Sequence, residues 1–218
     1  MTLIKILFWI AYFISLYFLI FWFTYYFSRR DQIKEELNDN SDLKFYPTVS
    51  VIVPAYNEEK TIVGTLKSLA ELDYPKDKLE LLVINDGSKD KTEKIVLDYI
   101  KKNNYHHIKY FYQDNAGKAH ALNKGLNILK GEYFACLDAD SFVDKHALKR
   151  MLKMHIKDKE LAVVTPILQV NNPKNWIQKF QRIEYLTSMV VIKLMSFLDC
   201  NFVAPGKISN QNYHSVLP

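Results

Sequence analysis

Val49-Ser50-Val51-Ile52-Val53-Pro54-Ala55-Tyr56-Asn57-Glu58-Glu59 is the stretch that decides the fold. Its first five residues are mostly β-branched and lie between Pro47 and Pro54, which predicts a buried strand over 49–53. After Asn57 the period changes, and Ile62, Leu66 and Leu69 fall on one helical face. The alternation then repeats, with strands expected at 79–84, 107–112, 132–137 and 161–170 and helices at about 90–102, 117–129 and 144–156. Such an order predicts an α/β fold, a parallel-dominated sheet with helices on both faces. Ligands of these sheets bind beyond the carboxyl ends of the strands.

The polar residues collect at those ends. The first strand runs into Pro54-Ala55-Tyr56-Asn57-Glu58-Glu59, the second into Asn85-Asp86-Gly87-Ser88 and the fourth into Asp138-Ala139-Asp140. Asn57 or Ser88, with nearby carboxylates, could equally cap a following helix. Asp138-x-Asp140 is harder to explain that way, because two carboxylates at the end of the apolar run Tyr133–Leu137 repel each other unless a cation neutralises them. Oxygen-only ligands suit Mg²⁺ or Mn²⁺, held by one or two carboxylates together with substrate phosphates. Asn115-Ala116-Gly117-Lys118 opens a helix, where free N–H groups and a mobile cation favour phosphate oxygens; a solvated lysine is the plainer alternative. His120, two residues on, reads as a packing or locally bonded side chain.

Composition removes other classes. The chain has 218 residues, 49% hydrophobic and 24% charged, which excludes a disordered or low-complexity chain. None of the six glycines is spaced for a dinucleotide fingerprint or a Walker loop, and there is no H-E-x-x-H or G-x-S-x-G. Two cysteines, Cys136 and Cys200, cannot build a disulfide framework. The net charge of +5 is too mild to argue for nucleic acid.

Ile6–Phe27 is a run of 22 residues without a charge that carries 12 aromatic side chains. As a helix it would span about 33 Å, the thickness of a bilayer's hydrocarbon. A cleaved signal peptide would end in small residues, whereas this run ends in Thr24-Tyr25-Tyr26-Phe27-Ser28-Arg29-Arg30. Lys5 precedes it and Arg29, Arg30 and Lys34 follow, so the positive-inside rule predicts an uncleaved single-pass anchor with the rest of the chain in the cytoplasm. From Trp176 a second segment begins amphipathic, with Lys179 and Arg182, and continues into an apolar run, Leu186–Leu198, too short to span. It reads as an interfacial or buried helix.

Taken in order, Val49–Glu59, Asn85-Asp86-Gly87-Ser88-Lys89-Asp90-Lys91-Thr92, Gly117-Lys118-Ala119-His120-Ala121-Leu122-Asn123 and Asp138-Ala139-Asp140-Ser141 resemble glycosyltransferase family 2, over about residues 47–200. The third motif looks most like that of membrane-bound processive β-glycan synthases, poly-N-acetylglucosamine synthase among them. The resemblance implies a GT-A fold, a nucleotide-sugar donor, most often UDP-linked, a glycan or lipid-linked acceptor and a divalent ion. Carried over by position, Pro54, Ala55, Tyr56 and Glu58 would line the nucleoside pocket and Asp86 would contact the uracil. Lys118 would approach the diphosphate, Asp138 the ribose or diphosphate, and Asp140, with Asp138, the metal.

The sequence also departs from the family. Transfer to a hydroxyl with inversion needs a base, which the family supplies from a Thr/Ser-Glu-Asp motif followed in synthases by Gln-x-x-Arg-Trp; neither occurs here. No catalytic base is therefore assigned, and the expectation is a chain cut short that binds donor with little or no transfer. The expected organisation is an anchor at 1–30, a cytosolic linker at 31–46, a GT-A nucleotide-sugar domain at 47–175, an amphipathic or interfacial helix at 176–200, and an incomplete acceptor-side segment and tail at 201–218. Two alternatives stay open: a polyprenyl-phosphate sugar synthase, whose acceptor phosphate needs no base, and a catalytically silent nucleotide-sugar-binding protein or partner subunit. A sugar-nucleotide pyrophosphorylase would need a glycine-rich loop after the first strand, and Pro54-Ala55-Tyr56-Asn57 is not one.

Overall fold

The computed structural model describes residues 2–39, 41–158, 161, 163–164, 166, 169–196 and 208–210. The chain divides into two units, residues 1–39 with 167–203, and residues 40–166 with 204–218.

The second unit is the α/β body. Its elements are β1 (Val49–Ala55), α2 (Ile62–Ala70), β2 (Leu79–Asp86), α3 (Thr92–Asn103), β3 (Ile108–Gln113), α4 (Lys118–Ile128), β4 (Tyr133–Cys136), α5 (Ala147–Lys157), β5 (Val163–Val164) and β6 (Ile208–Asn210). The sheet order is β3-β2-β1-β4-β6-β5. β1, β2, β3 and β4 are mutually parallel, and β6 runs antiparallel to both β4 and β5. Strand alternation sorts the core into two layers. Val51, Val53, Leu81 and Val83 meet Ile62, Leu66, Val96 and Leu152 from α2, α3 and α5. Ile52, Leu82 and Ile84 meet Ala121 of α4 on the opposite face. Helices thus cover both faces, as the sequence predicts.

Two boundaries differ informatively. β1 continues through Pro54 to Ala55. Ile52 O accepts the Leu137 N–H, so the missing N–H of Pro54, two residues on, points where β4 has already ended and no ladder bond is lost. Of the strand expected at 161–170, Val163–Val164 is in the sheet, and 162, 165, 167 and 168 lie outside the described residues. Of the segment expected at 201–218, only Ile208–Asn210 is described, and it forms β6.

The first unit contains α1 (Thr2–Asn38) and α6 (Trp176–Ser196). α1 is the one described helix long and apolar enough to cross a membrane. Most of its aromatic residues, Phe8, Trp9, Phe13 and Tyr17 among them, are exposed. The helix runs on through residues 31–38, where the sequence suggests a polar linker, because Gln32, Lys34, Glu35 and Glu36 are good helix formers with no glycine or proline among them. α6 starts with a capping box: Asn175 Oδ1 accepts the Gln178 N–H at 2.8 Å and Gln178 Oε1 accepts the Asn175 N–H at 3.4 Å, together with the Lys174 N–H at 2.7 Å. Trp176, Ile177, Phe180 and Ile183 of α6 are exposed. The end of its apolar run, 197–198, lies outside the described residues.

Candidate functional site

The chain reverses direction across the sheet between β1 and β4: β2 and β3 build outward on one side of β1, and β4 returns to the other. The carboxyl ends beside that switch point frame the crevice where open α/β sheets bind ligands. All eight sequence-predicted residues line one open cleft of about 450 Å³ there. β1 and the loop after it supply Pro54, Ala55, Tyr56 and Glu58; β2 supplies Asp86; α4 supplies Lys118; and the turn after β4 supplies Asp138 and Asp140. Asn115, Gly117 and Ala139 complete the lining. All three stand inside the sequence motifs above, but a side chain without charge draws no attention in a sequence.

Each wall is held by its own polar lattice. The loops after β1 and β2 lock together reciprocally: Ser88 Oγ accepts the Asn57 N–H at 3.0 Å, and Asn57 Oδ1 accepts the Lys89 N–H at 2.8 Å. Neither residue caps a helix. Asn57 sits at φ 56°, a left-handed conformation that asparagine tolerates. Thr92 Oγ1 accepts the Glu58 N–H at 2.8 Å and donates to Asp90 Oδ1 at 2.6 Å, while Asp90 Oδ2 accepts the Glu59 N–H at 3.1 Å. Asp90 and Thr92 thus carry the geometry of a loop they do not belong to. Burial alone would raise the Asp90 carboxyl; bonds from the Thr92 hydroxyl and from the Thr92 and Glu59 amides outweigh it and hold the group below the usual carboxylate value.

The acidic turn is pinned from α2. Thr65, fully buried, donates from Oγ1 to Ala139 O at 2.7 Å, and Ser68 Oγ accepts the Val143 N–H at 3.2 Å. Asp138 and Asp140 themselves are exposed. Lys118 Nζ reaches across the cleft to Asp138 Oδ1 at 2.5 Å. Asp86, only 3% exposed, accepts at Oδ1 from Gln113 Nε2 at 2.7 Å and from the Ala116 N–H at 3.0 Å, and at Oδ2 from the Gly117 N–H at 2.9 Å. Its burial would raise the carboxyl, but these donors together keep it below the ordinary value and hence ionised. His120 is exposed on α4.

The arrangement therefore offers a flat aromatic and backbone edge at β1, a cation at the start of α4 and two oxygen donors at β4. A family model described as glycosyl transferase family 2 matches residues 50–211. The chain belongs to that family.

Among relatives of this family 2 chain, poly-beta-1,6-N-acetyl-D-glucosamine synthase of Staphylococcus epidermidis (strain RP62A) is 33% identical over 181 residues, 83% of this chain and 43% of the relative. The synthase of the same name from Staphylococcus aureus (strain COL) is 34% identical over 183 residues, with the same two coverages. The chain thus spans less than half the length of these curated relatives. S. aureus TarS 1–349, solved in complex with UDP, superposes with a TM-score of 0.51 at 32% identity, covering 59% of this chain and 37% of that one. Mannosyltransferase PcManGT from Pyrobaculum calidifontis, solved with GDP-Man and Mn²⁺, gives a TM-score of 0.62 at 24% identity over 91% of this chain and 56% of that one, a likeness of fold.

Proposed function

We propose that this family 2 chain carries the donor site of a membrane-anchored glycosyltransferase, which binds a UDP-linked sugar and delivers the sugar with inversion to a glycan or lipid-linked acceptor. The observation that carries the reading is the convergence of Tyr56, Lys118, Asp138 and Asp140, from the ends of β1 and β4 and the start of α4, on one cleft at the sheet's switch point. Relatives named as N-acetylglucosamine polymer synthases, and a neighbour solved with UDP, support the choice of donor.

Pro54, Ala55, Tyr56 and Glu58 are assigned to the nucleoside, Asp86 to the floor beneath it, and Lys118 to the diphosphate. Among the described residues no group of three His, Cys, Asp or Glu side chains could hold a metal alone. Two exposed carboxylates at Asp138 and Asp140 suit a hard divalent ion that takes its remaining ligands from water and from donor phosphates, as Mg²⁺ and Mn²⁺ do. When bound, the ion would neutralise charge on the departing diphosphate. Lys118 adds a second cation on the other wall and orients the same group. Transfer to a hydroxyl forms a bond from that oxygen to the anomeric carbon, breaks the bond to the diphosphate and releases a proton. This chain has no Thr/Ser-Glu-Asp to take that proton, so we expect donor binding with little or no transfer from these residues alone.

Calorimetry on the purified chain tests the reading. UDP should bind in the presence of Mn²⁺, and Asp140→Ala should weaken that binding about tenfold, the loss of one charged contact. Nucleotide binding indifferent to Mn²⁺ and to Asp140→Ala would overturn it.

A further inference from the structure

The two exposed carboxylates of the cleft belong to a tight turn. Asp138 O accepts the Ser141 N–H at 3.0 Å, so Asp138–Ser141 is a β-turn with Ala139 and Asp140 at its central positions. The peptide between those two can face either way: one setting gives Asp140 a negative φ, the other a positive φ, which aspartate tolerates better than most residues. Among the described residues, positive φ outside glycine occurs at Asn57, Asn104 and Asn172, so Asp140 stands in the first setting. The oxygen of that central peptide has a partner 74 residues earlier: Thr65 of α2, fully buried, donates from Oγ1 to Ala139 O at 2.7 Å. A threonine inside a helix ordinarily bonds back to a carbonyl of its own helix; this one reaches across to the turn. The residues that follow the turn rest on the same stretch of α2. A Cβ at Gly64 would stand 2.6 Å from the Phe142 ring, and Ser68 Oγ accepts the Val143 N–H at 3.2 Å while donating to Thr65 O at 2.8 Å.

We propose that Thr65 is a positioning residue that acts through Asp140: by holding the Ala139 oxygen it fixes the central peptide of the turn, and so the φ of Asp140 and the direction in which its carboxylate leaves the chain toward a divalent ion. A site with two protein carboxylates, filled out by water and phosphate, depends on both being aimed at one point. Asp138 is met across the cleft by Lys118, whereas Asp140 receives a 3.3 Å bond from its own neighbour, the Ser141 hydroxyl, so its aim depends on the backbone beneath it. Without the Thr65 hydroxyl the buried Ala139 oxygen loses its partner, a costly state that turning the peptide over relieves at the expense of Asp140. The assignment rests on the donor-site reading above and adds to it a residue that lies outside the cleft.

Calorimetry of UDP in the presence of Mn²⁺, with Mn²⁺ affinity read from its electron paramagnetic resonance signal, tests it. Thr65→Val keeps the shape and removes the hydroxyl, and should weaken both UDP and Mn²⁺ about fivefold. Thr65→Ser keeps the donor and should bind both as wild type does. On an Asp140→Ala background Thr65→Val should cost nothing further, because the carboxylate it aims is gone. Losses that multiply on that background, a Thr65→Ser chain as weak as Thr65→Val, or a Thr65→Val chain with the Mn²⁺ affinity of wild type would each overturn the proposal. Should Thr65→Val fail to fold, Ser68→Ala, which releases Val143 at the far end of the same segment, takes its place. It should cost about threefold alone and nothing further on Asp140→Ala, and additive losses would count against the proposal. A wild-type chain that binds no UDP, or binds it without regard to Mn²⁺, instead sinks the donor reading itself.

Discussion

Lys149 shows how single charges organise this chain. It is a helical residue of α5 with a buried side chain, and its ammonium bridges Asp42 Oδ1 and Asp73 Oδ2, both at 2.7 Å, beneath the ring of Tyr46. The hydrogen bonds it donates to Asp42 and then Asp73 raise the Lys149 ammonium above the ordinary lysine value. The Lys149 bond lowers both carboxyls, with Tyr46 helping at Asp42 and burial opposing at Asp73. A raised lysine contributes stability that is complete below its unfolded value, about pH 10, and is lost as pH rises through its folded value. The lowered carboxyls contribute above pH 3.8 and lose it as pH falls through their folded values. Lys149→Met should therefore lower the melting temperature by a few degrees between about pH 5 and 10, and the gap to wild type should narrow as pH falls below 3.8; a gap that does not narrow in acid contradicts the assignment. Thr92 offers a second test at this scale. Thr92→Val keeps the shape and removes the hydroxyl that joins the β1 loop to Asp90, so UDP affinity should fall about fivefold, roughly 1 kcal/mol, by calorimetry.

At the scale of elements, α4 sets packing against propensity. Gly125 lies mid-helix, where alanine would ordinarily gain about 1 kcal/mol. A Cβ there would stand 2.5 Å from Ile52 Cγ2, inside a fully buried layer of β1. Overpacking of that kind costs about 1–3 kcal/mol, so Gly125→Ala should shift the denaturant midpoint downward; an upward shift would show that Ile52 can yield. The helices and the four parallel strands were legible in the sequence because each carries an apolar period of its own. β6 was not. It has three residues, too few for a period, and it owes its place to the edge of β4, where Ser209 pairs with Phe134. The eight lining residues were legible because charge and motif marked them. Of the residues that hold them, Asp90 and Thr92 stood in the second motif without a role and Thr65 and Ser68 were unmarked, because a hydroxyl or carboxylate that bonds another loop's backbone looks like any surface polar group until the loops are brought together.

At the scale of the whole molecule, an N-terminal helix with an apolar window left unburied accompanies a body whose cleft gathers Tyr56, Lys118, Asp138 and Asp140. On the proposed reading α1 resists extraction by alkaline carbonate, and protease added to sealed right-side-out vesicles leaves residues 47–166 uncut; digestion of that region would reverse the topology drawn from Arg29, Arg30 and Lys34. The central claim is that a uridine nucleotide occupies the cleft between β1 and β4. Photolabelling with 5-azido-UDP in the presence of Mn²⁺, followed by peptide mapping, tests it most directly. The account predicts label on peptides containing Tyr56 or residues 113–118, displaced by unlabelled UDP, and label elsewhere or label that UDP fails to displace would contradict it.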